Sequence, residues 1–348
     1  MVGKAKRVAL TVFGEPAAIR GRIAAMRMVA TAAGARPFSG PQADLVRGFA
    51  ALSGCAGCLG LGSGLDFKDL VGEGEPWPDA EAGIALMRPW LSDEKSRDAA
   101  VYAGMMTALY AYDPDPQGVA VARRIALGLG VDDALIADVE RIAGDNASTA
   151  KADVFRRMLS GRTGIADATI ADQMRRGALG ELSRAEYVER FHRRLEEAPE
   201  GSLGAEMCRF YADAGFDAPG KPGVPLPAEF LGPHDAHHVL VGYGTSAQGE
   251  VYTAVLNAFN SPQGICWLTV ALLQWHQGVK MGVFPPVHTH LDPRITANAA
   301  ERGSRIAVDL CDPQWDWFPL LGRPLDEVRR ELGIPPGGLV GPGVSWSS

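Results

Sequence analysis

The chain has 348 residues, 47% apolar and 22% charged, which is the make-up of a globular protein with ample core material and excludes a disordered chain. Its formal net charge of −7 excludes a general nucleic-acid role, since phosphate binding needs clustered positive charge and Arg pairs such as Arg123–Arg124 and Arg193–Arg194 sit in helical or acid-flanked surroundings. Five cysteines, odd in number and scattered (Cys55, Cys58, Cys208, Cys266 and Cys311), argue against a disulfide framework and fit a reducing, cytoplasmic setting.

The first residues are basic, but the apolar run after them is too short for a signal peptide and Glu15 and Pro16 interrupt it. From there apolar residues recur at i, i+3 and i+4. They predict helices over Ala17–Ala33, Pro41–Leu52, Asp93–Tyr112, Pro116–Leu129, Asp132–Ala143 and Ala150–Leu159. Gly34, Gly54, Pro76, Pro78, the Asp113–Pro116 turn and Gly130 separate them. The pair Cys55 and Cys58 has neither a thioredoxin-like context nor a second pair, so both are expected as small buried residues at a helix end. Gly60, Gly62 and Gly64 make no phosphate loop, because no strand precedes them and no Lys-Ser/Thr follows.

Residues 161–182, with four glycines, are expected as a linker between an N-terminal helical domain (1–160) and a second helical domain (183–335). Ser183 and Glu186 have the spacing of a capping box and predict a helix running to about Glu197. A further helix is expected over Leu203–Ala214, ended by Gly215. The Pro/Gly-rich stretch Asp217–Pro233 reads as an extended loop, and helices follow at about Glu250–Phe259 and Ile265–Gly278. Between Val251 and Val279 no residue is charged, yet Asn257, Asn260, Gln274 and His276 make it too polar for a spanning helix; it reads as buried core. Leu325–Leu332 is expected as a short helix between Pro324 and Gly333, and residues 336–348 as an irregular tail. β-branched alternation is rare throughout. The expected fold class is all-α, as two helical bundles.

Six of the seven histidines lie between residues 234 and 290, and three fall within His234-Asp235-Ala236-His237-His238. On a helix His234 and His238 are one turn apart and share a face, so two imidazoles can reach one cation. Asp235 points about 100° away on ideal geometry and can flank the ion. Gly242, Gly244 and Gly249 let the chain turn back, so that Glu250, at the start of the next helix, faces the first. Two nitrogens and two carboxylates suit Zn²⁺ first, with Fe²⁺, Mn²⁺ or Mg²⁺ as alternatives. The blander alternative is a hydrogen-bonded helix start with Asp235 near the positive end of the dipole.

The pattern H-D-x-x-H, eleven residues, then E, carried by His234, Asp235, His238 and Glu250, resembles the hallmark of the coenzyme Q biosynthesis protein four family. Gly242–Glu250 is similar to the family's G-x-x-T…G-E segment, and Arg209-Phe210-Tyr211 to an aromatic stretch. Trp315–Pro319 through Arg323–Ile334 is similar to its closing helix. The likeness covers roughly residues 180–335; residues 1–160 have no counterpart in a minimal member and are similar to TerB-like helical bundles at the Asp113–Asp115 turn, Ala122–Leu129 and Gly130–Asp133. The resemblance implies a buried divalent metal held by His234, Asp235, His238 and Glu250. It further implies a role in ubiquinone biosynthesis, with a polyprenylated aromatic or quinone precursor as ligand.

Two main functional readings stay open, with an enzyme of specialised metabolism that borrowed the fold as a third. In one, the chain is an enzyme of metal-dependent lyase or oxidative decarboxylase type, acting on the ring carboxyl with hydroxylation; no catalytic side chain is assigned. In the other, it is a non-catalytic isoprenoid-binding or scaffold module. The implied partners are other quinone-biosynthesis proteins, a second copy of the chain and the inner face of the membrane, which the protein would touch peripherally. Among the remaining candidates, His237 reads as an outer neighbour of the site or a surface residue and His276 as a satisfied core histidine. His288 and His290 read as parts of a polar loop, and Trp267, Trp275, Trp315, Trp317 and Phe318 as core or pocket wall.

Overall fold

The computed structural model describes residues 16–52, 79–131, 134–143, 147–261, 264–281, 284–341 and 343–347. Cys55, Cys58 and the glycines at 60–64 lie outside them. The described residues are all-helical: fifteen α-helices, no strand, and two isolated β-bridges, Ser202 with Pro324 and Gln277 with His288.

The first eight helices are α1 (Pro16–Ala30), α2 (Gly40–Leu52), α3 (Ala80–Met87), α4 (Glu94–Leu109), α5 (Pro116–Leu129), α6 (Ala134–Ala143), α7 (Ala147–Thr163) and α8 (Asp167–Arg176). Their ends follow local chemistry. Asp115 caps α5 by accepting from Gly118 N–H, Pro116 occupies its first position, and Gly130 closes it in the left-handed conformation that costs glycine little. Asp93 and Ser96 form a reciprocal capping box at α4. Residues 161–182, expected as a linker, hold the end of α7, the whole of α8 and a 3₁₀ turn at Leu179–Leu182.

The second half contains α9 (Ala185–Glu196), α10 (Leu203–Ala214), α11 (Ala228–Val241), α12 (Ala247–Asn260), α13 (Gly264–Ala271), α14 (Pro293–Arg305) and α15 (Leu325–Leu332). The expected capping box at Ser183 does not form. Its hydroxyl donates to Gly180 O and accepts from Ala228 N–H, so it ties two segments together and α9 starts without a side-chain cap. The expected loop 217–233 ends earlier than its prolines suggest, because α11 begins at Ala228 and Pro233 lies inside it, not at its first turn. α13 continues into a π-helical turn, Leu272–His276.

Buried apolar side chains from both halves form one contiguous cluster. α1 packs on α4, α12 lies between α13 and α14, and α2 rests on α14. The α12–α14 approach is close: a methyl group on Gly303 would sit 2.1 Å from Leu256 O. The last carbonyls of α4 are satisfied from the far half. Gln277 Nε2 donates to Leu109 O (2.9 Å) and Ala111 O (3.2 Å), and His276 Nε2 meets Tyr110 O at 2.9 Å. His276 is therefore a core histidine held between two carbonyl oxygens, Tyr110 O on Nε2 and Thr289 O on Nδ1, of which a neutral ring donates to one. No helix among the described residues is long and apolar enough to cross a membrane.

Candidate functional site

α11 and α12 bring the principal side chains together. His234 and His238 occupy one face of α11, with their Nε2 atoms 3.2 Å apart. Ser246 caps α12 by accepting from Gly249 N–H, which sets Glu250 in the first turn of that helix. There Glu250 Oε2 lies 3.3 Å from His234 Nε2 and 3.4 Å from His238 Nε2.

The protonation logic of this triangle follows from its surroundings. His238 is fully buried, and its Nδ1 faces Tyr243 O and Gly244 O, both at 3.1 Å, and Thr253 Oγ1 at 3.2 Å. Carbonyl oxygens only accept, so Nδ1 carries the hydrogen and Nε2 presents its lone pair to the triangle. Glu250 Oε2 is buried and receives no hydrogen bond. Electron-rich atoms facing one another in a desolvated site need a proton or a cation among them. Burial alone would raise the Glu250 carboxyl, but the two imidazoles outweigh it and hold it well below the usual carboxylate range. Burial likewise opposes a charged His238, and the facing Glu250 raises it nonetheless.

The distances also suit a metal. A tetrahedral ion with N and O donors at about 2.0–2.1 Å spaces those donors ~3.3 Å apart. The observed edges of 3.2, 3.3 and 3.4 Å lie at that value. Among the described residues, His234, His238 and Glu250 are the group of ligand-type side chains whose atoms converge within 4.8 Å of one another.

Asp235 stands apart from that group. One position along α11 from His234, it lines the same cavity, and its Oδ2 accepts a hydrogen bond from Tyr211 Oη at 3.0 Å. Burial lifts its carboxyl to about 6 despite the two imidazoles nearby, and the Tyr211 hydroxyl is raised well above its ordinary value, first by burial and then by Asp235. Sequence reasoning had no role for Tyr211; its only signal was the Arg209–Tyr211 aromatic stretch.

The triangle opens on a cavity of about 590 Å³ whose walls include Met158, Phe210, Tyr211, Phe230, Trp267 and Phe284. That volume is typical of a small-molecule site, and the lining is mostly apolar. Trp267 stacks on His234 (ring centroids 5.9 Å, 25° between planes) and packs on Phe230 at 4.6 Å. Trp267 and Trp275 line the cavity as expected, whereas Trp315, Trp317 and Phe318 are buried core. Phe155 and Met158, both on α7, close part of the wall, a contribution of the N-terminal half that the sequence did not reveal.

His237 is buried on the neighbouring face of α11: Nε2–H donates to Leu310 O (2.9 Å) and Nδ1 meets the Asn257 amide (3.1 Å). His288 and His290 are exposed, with His288 Nε2 at 2.8 Å from Tyr112 O and the His290 ring edge-on to Tyr112. They form no convergent metal-ligating group. Compared with family models, with curated proteins and with solved structures, the chain gives no significant match in any of the three.

Proposed function

We propose that the second half of the chain, residues 183–335, is a helical bundle that holds a divalent cation, Zn²⁺ first, between His234, His238 and Glu250, beside a cavity that takes an aromatic ligand with an apolar tail. The observation that carries this reading is the triangle of two imidazole nitrogens and one buried carboxylate oxygen, with the spacing that tetrahedral coordination requires. With Asp235 Oδ2 engaged by Tyr211, His234, His238 and Glu250 would hold the ion, and three protein ligands are the number catalytic zinc sites use.

A bound divalent ion supplies Lewis acidity toward a phenolate or carboxylate. The chain's own residues do the rest. His234, His238 and Glu250 fix the position of charge, Asp235 and Tyr211 hold a proton between Oη and Oδ2 on the cavity wall, and Phe230 and Trp267 keep water from the ring. In this reading the protein serves quinone biosynthesis as the resemblance to the coenzyme Q biosynthesis protein four family implies. It binds a polyprenylated hydroxybenzoate-type precursor, works with other proteins of that pathway and touches the membrane peripherally. The apolar lining favours a second reading, in which the chain carries the isoprenoid ligand without turning it over.

The test is binding and turnover of a prenylated hydroxybenzoate with zinc-loaded and chelator-treated protein. Cation-dependent binding with release of carbon dioxide supports the enzyme. Cation-dependent binding without release supports the carrier. Binding that ignores the cation, or no binding of any prenylated ring, contradicts both.

A further inference from the structure

We infer that residues 337–341 and 343–346, irregular in structure, together form a positioning element for the cation site: they clamp the turn whose carbonyls orient His238. The inference rests on the cation reading above. The His238 tautomer depends on Tyr243 O and Gly244 O, which lie in the turn between α11 and α12. Within the turn, Gly242 N–H and Tyr243 N–H donate to His238 O (2.8 and 3.3 Å). Its outer side is held by the later segment: Leu339 N–H and Val340 N–H both donate to Gly242 O (2.6 and 3.0 Å), and Thr245 N–H donates to Trp346 O (2.9 Å). The two backbones approach so closely that a methyl group on Gly338 would lie 2.4 Å from Gly242 O, and one on Gly242 would lie 2.9 Å from Val340 O. Both positions have positive φ, so glycine is needed for conformation as well as space.

The segment is anchored at its other end to α10. Trp346 is fully buried, its backbone N–H donates to Asp213 Oδ2 (3.0 Å), and Arg209 donates to Val344 O (3.0 Å) and Gly341 O (2.7 Å). The Trp346 ring lies 6.0 Å from Phe210, and Phe210 lies 5.7 Å from the His238 ring. His238 is thus flanked twice by the same segment: through the turn that accepts its Nδ1–H, and through the Phe210 ring that backs it. Outer partners of this kind fix the ring orientation and tautomer of a ligating histidine, and losing them weakens metal affinity by about 10–100-fold.

The experiment measures Zn²⁺ affinity of the full chain by competition with a chromophoric chelator at fixed pH, with circular dichroism confirming the fold. Trp346→Ala is expected to weaken binding about 10–100-fold. Trp346→Phe, which keeps an aromatic plug, retains most of the affinity. Arg209→Gln removes the two bonds to the segment, along with the ion pair to Glu206 on the same helix and the cation over the Trp346 ring, without opening the core; it shifts affinity the same way by less, which keeps the test alive if Trp346→Ala does not fold. Ile125→Ala, buried in α5 away from the site, serves as a stability control and leaves affinity unchanged. Folded Trp346→Ala and Arg209→Gln proteins that bind zinc like the parent overturn the positioning role and leave the cation reading intact. An equal loss in Ile125→Ala also overturns it, since the effect would then be general destabilisation. A parent chain that binds no zinc overturns the cation reading and this inference together.

Discussion

Asp115→Ala tests whether the N-terminal half is held as described. Asp115 is buried, caps α5 through Gly118 N–H at 2.9 Å, pairs with Arg36, and accepts from Gln42 Nε2 at 3.0 Å. Arg36 itself bridges back to Val29 O and Ala30 O near the end of α1. Loss of the cap costs about 0.5–2 kcal/mol. Breaking a buried ion pair costs about 3–5 kcal/mol, but Arg36 is 30% exposed and can rehydrate, so the pair contributes the low end or less. Gln42 keeps Thr107 O as a partner. The expected destabilisation is therefore about 3 kcal/mol. At about 2.1 cal/mol/K per residue the unfolding entropy of 348 residues is ~0.7 kcal/mol/K, so Tm falls by ~4 °C. The pH dependence has a definite sign. Burial raises the Asp115 carboxyl, but hydrogen bonds from Arg36, Gly118 and Gln42 outweigh this and hold it below the usual range. Its contribution is thus complete above the unfolded value near ~3.9 and is lost as pH falls through the lower folded value. Calorimetry or urea unfolding of parent and variant should show the gap near neutrality and its narrowing in acid. A gap under about 1 kcal/mol at pH 7, or one that persists unchanged to pH 3, refutes the reasoning.

Other outcomes follow from the site and its supports. Zinc at a hundredfold its dissociation constant should stabilise the chain by about 2.7 kcal/mol, raising Tm by ~4 °C, and Glu250→Gln should abolish the shift in differential scanning fluorimetry. Phe155→Ala should enlarge the cavity from the α7 side; titration with alkyl hydroxybenzoates of increasing length should then show longer tails accepted than by the parent, and an unchanged length limit would remove Phe155 from the wall. Gly303→Ala should cost about 1–3 kcal/mol in urea unfolding, because α14 cannot take a methyl group against Leu256 O without moving off α12. Tyr211→Phe deletes the donor to Asp235 and keeps the ring, so cation binding should persist while proton-dependent turnover slows; equal turnover would exclude the pair from the chemistry.

Legibility in the sequence varied with how local the cause was. α5 and α15 run over the expected residues because Asp115-Pro116 and Gly130, or Pro324 and Gly333, define both ends by short-range chemistry. α14 went unread although Asp292-Pro293 is a good start signal: its buried residues, Thr296, Ala297, Ala299, Ala300, Arg302, Gly303 and Ser304, are small or polar and give no apolar stripe. The π turn after α13 and the docking of Trp346 are tertiary outcomes with no local signature. At the site, the spacing of His234 and His238 and the glycines before Glu250 carried the convergence, because helix periodicity and one tight turn determine it. Asp235 does not join the triangle, since its Oδ2 is engaged by Tyr211, and Tyr211 and the α7 wall reach the site from distant parts of the chain.

Elemental analysis of the purified parent chain beside His238→Ala and Glu250→Ala, after equal exposure to zinc and exhaustive dialysis, bears most directly on all of this. The parent should retain about one equivalent of zinc and each variant almost none. Equal retention by all three proteins would show that these side chains do not hold a cation.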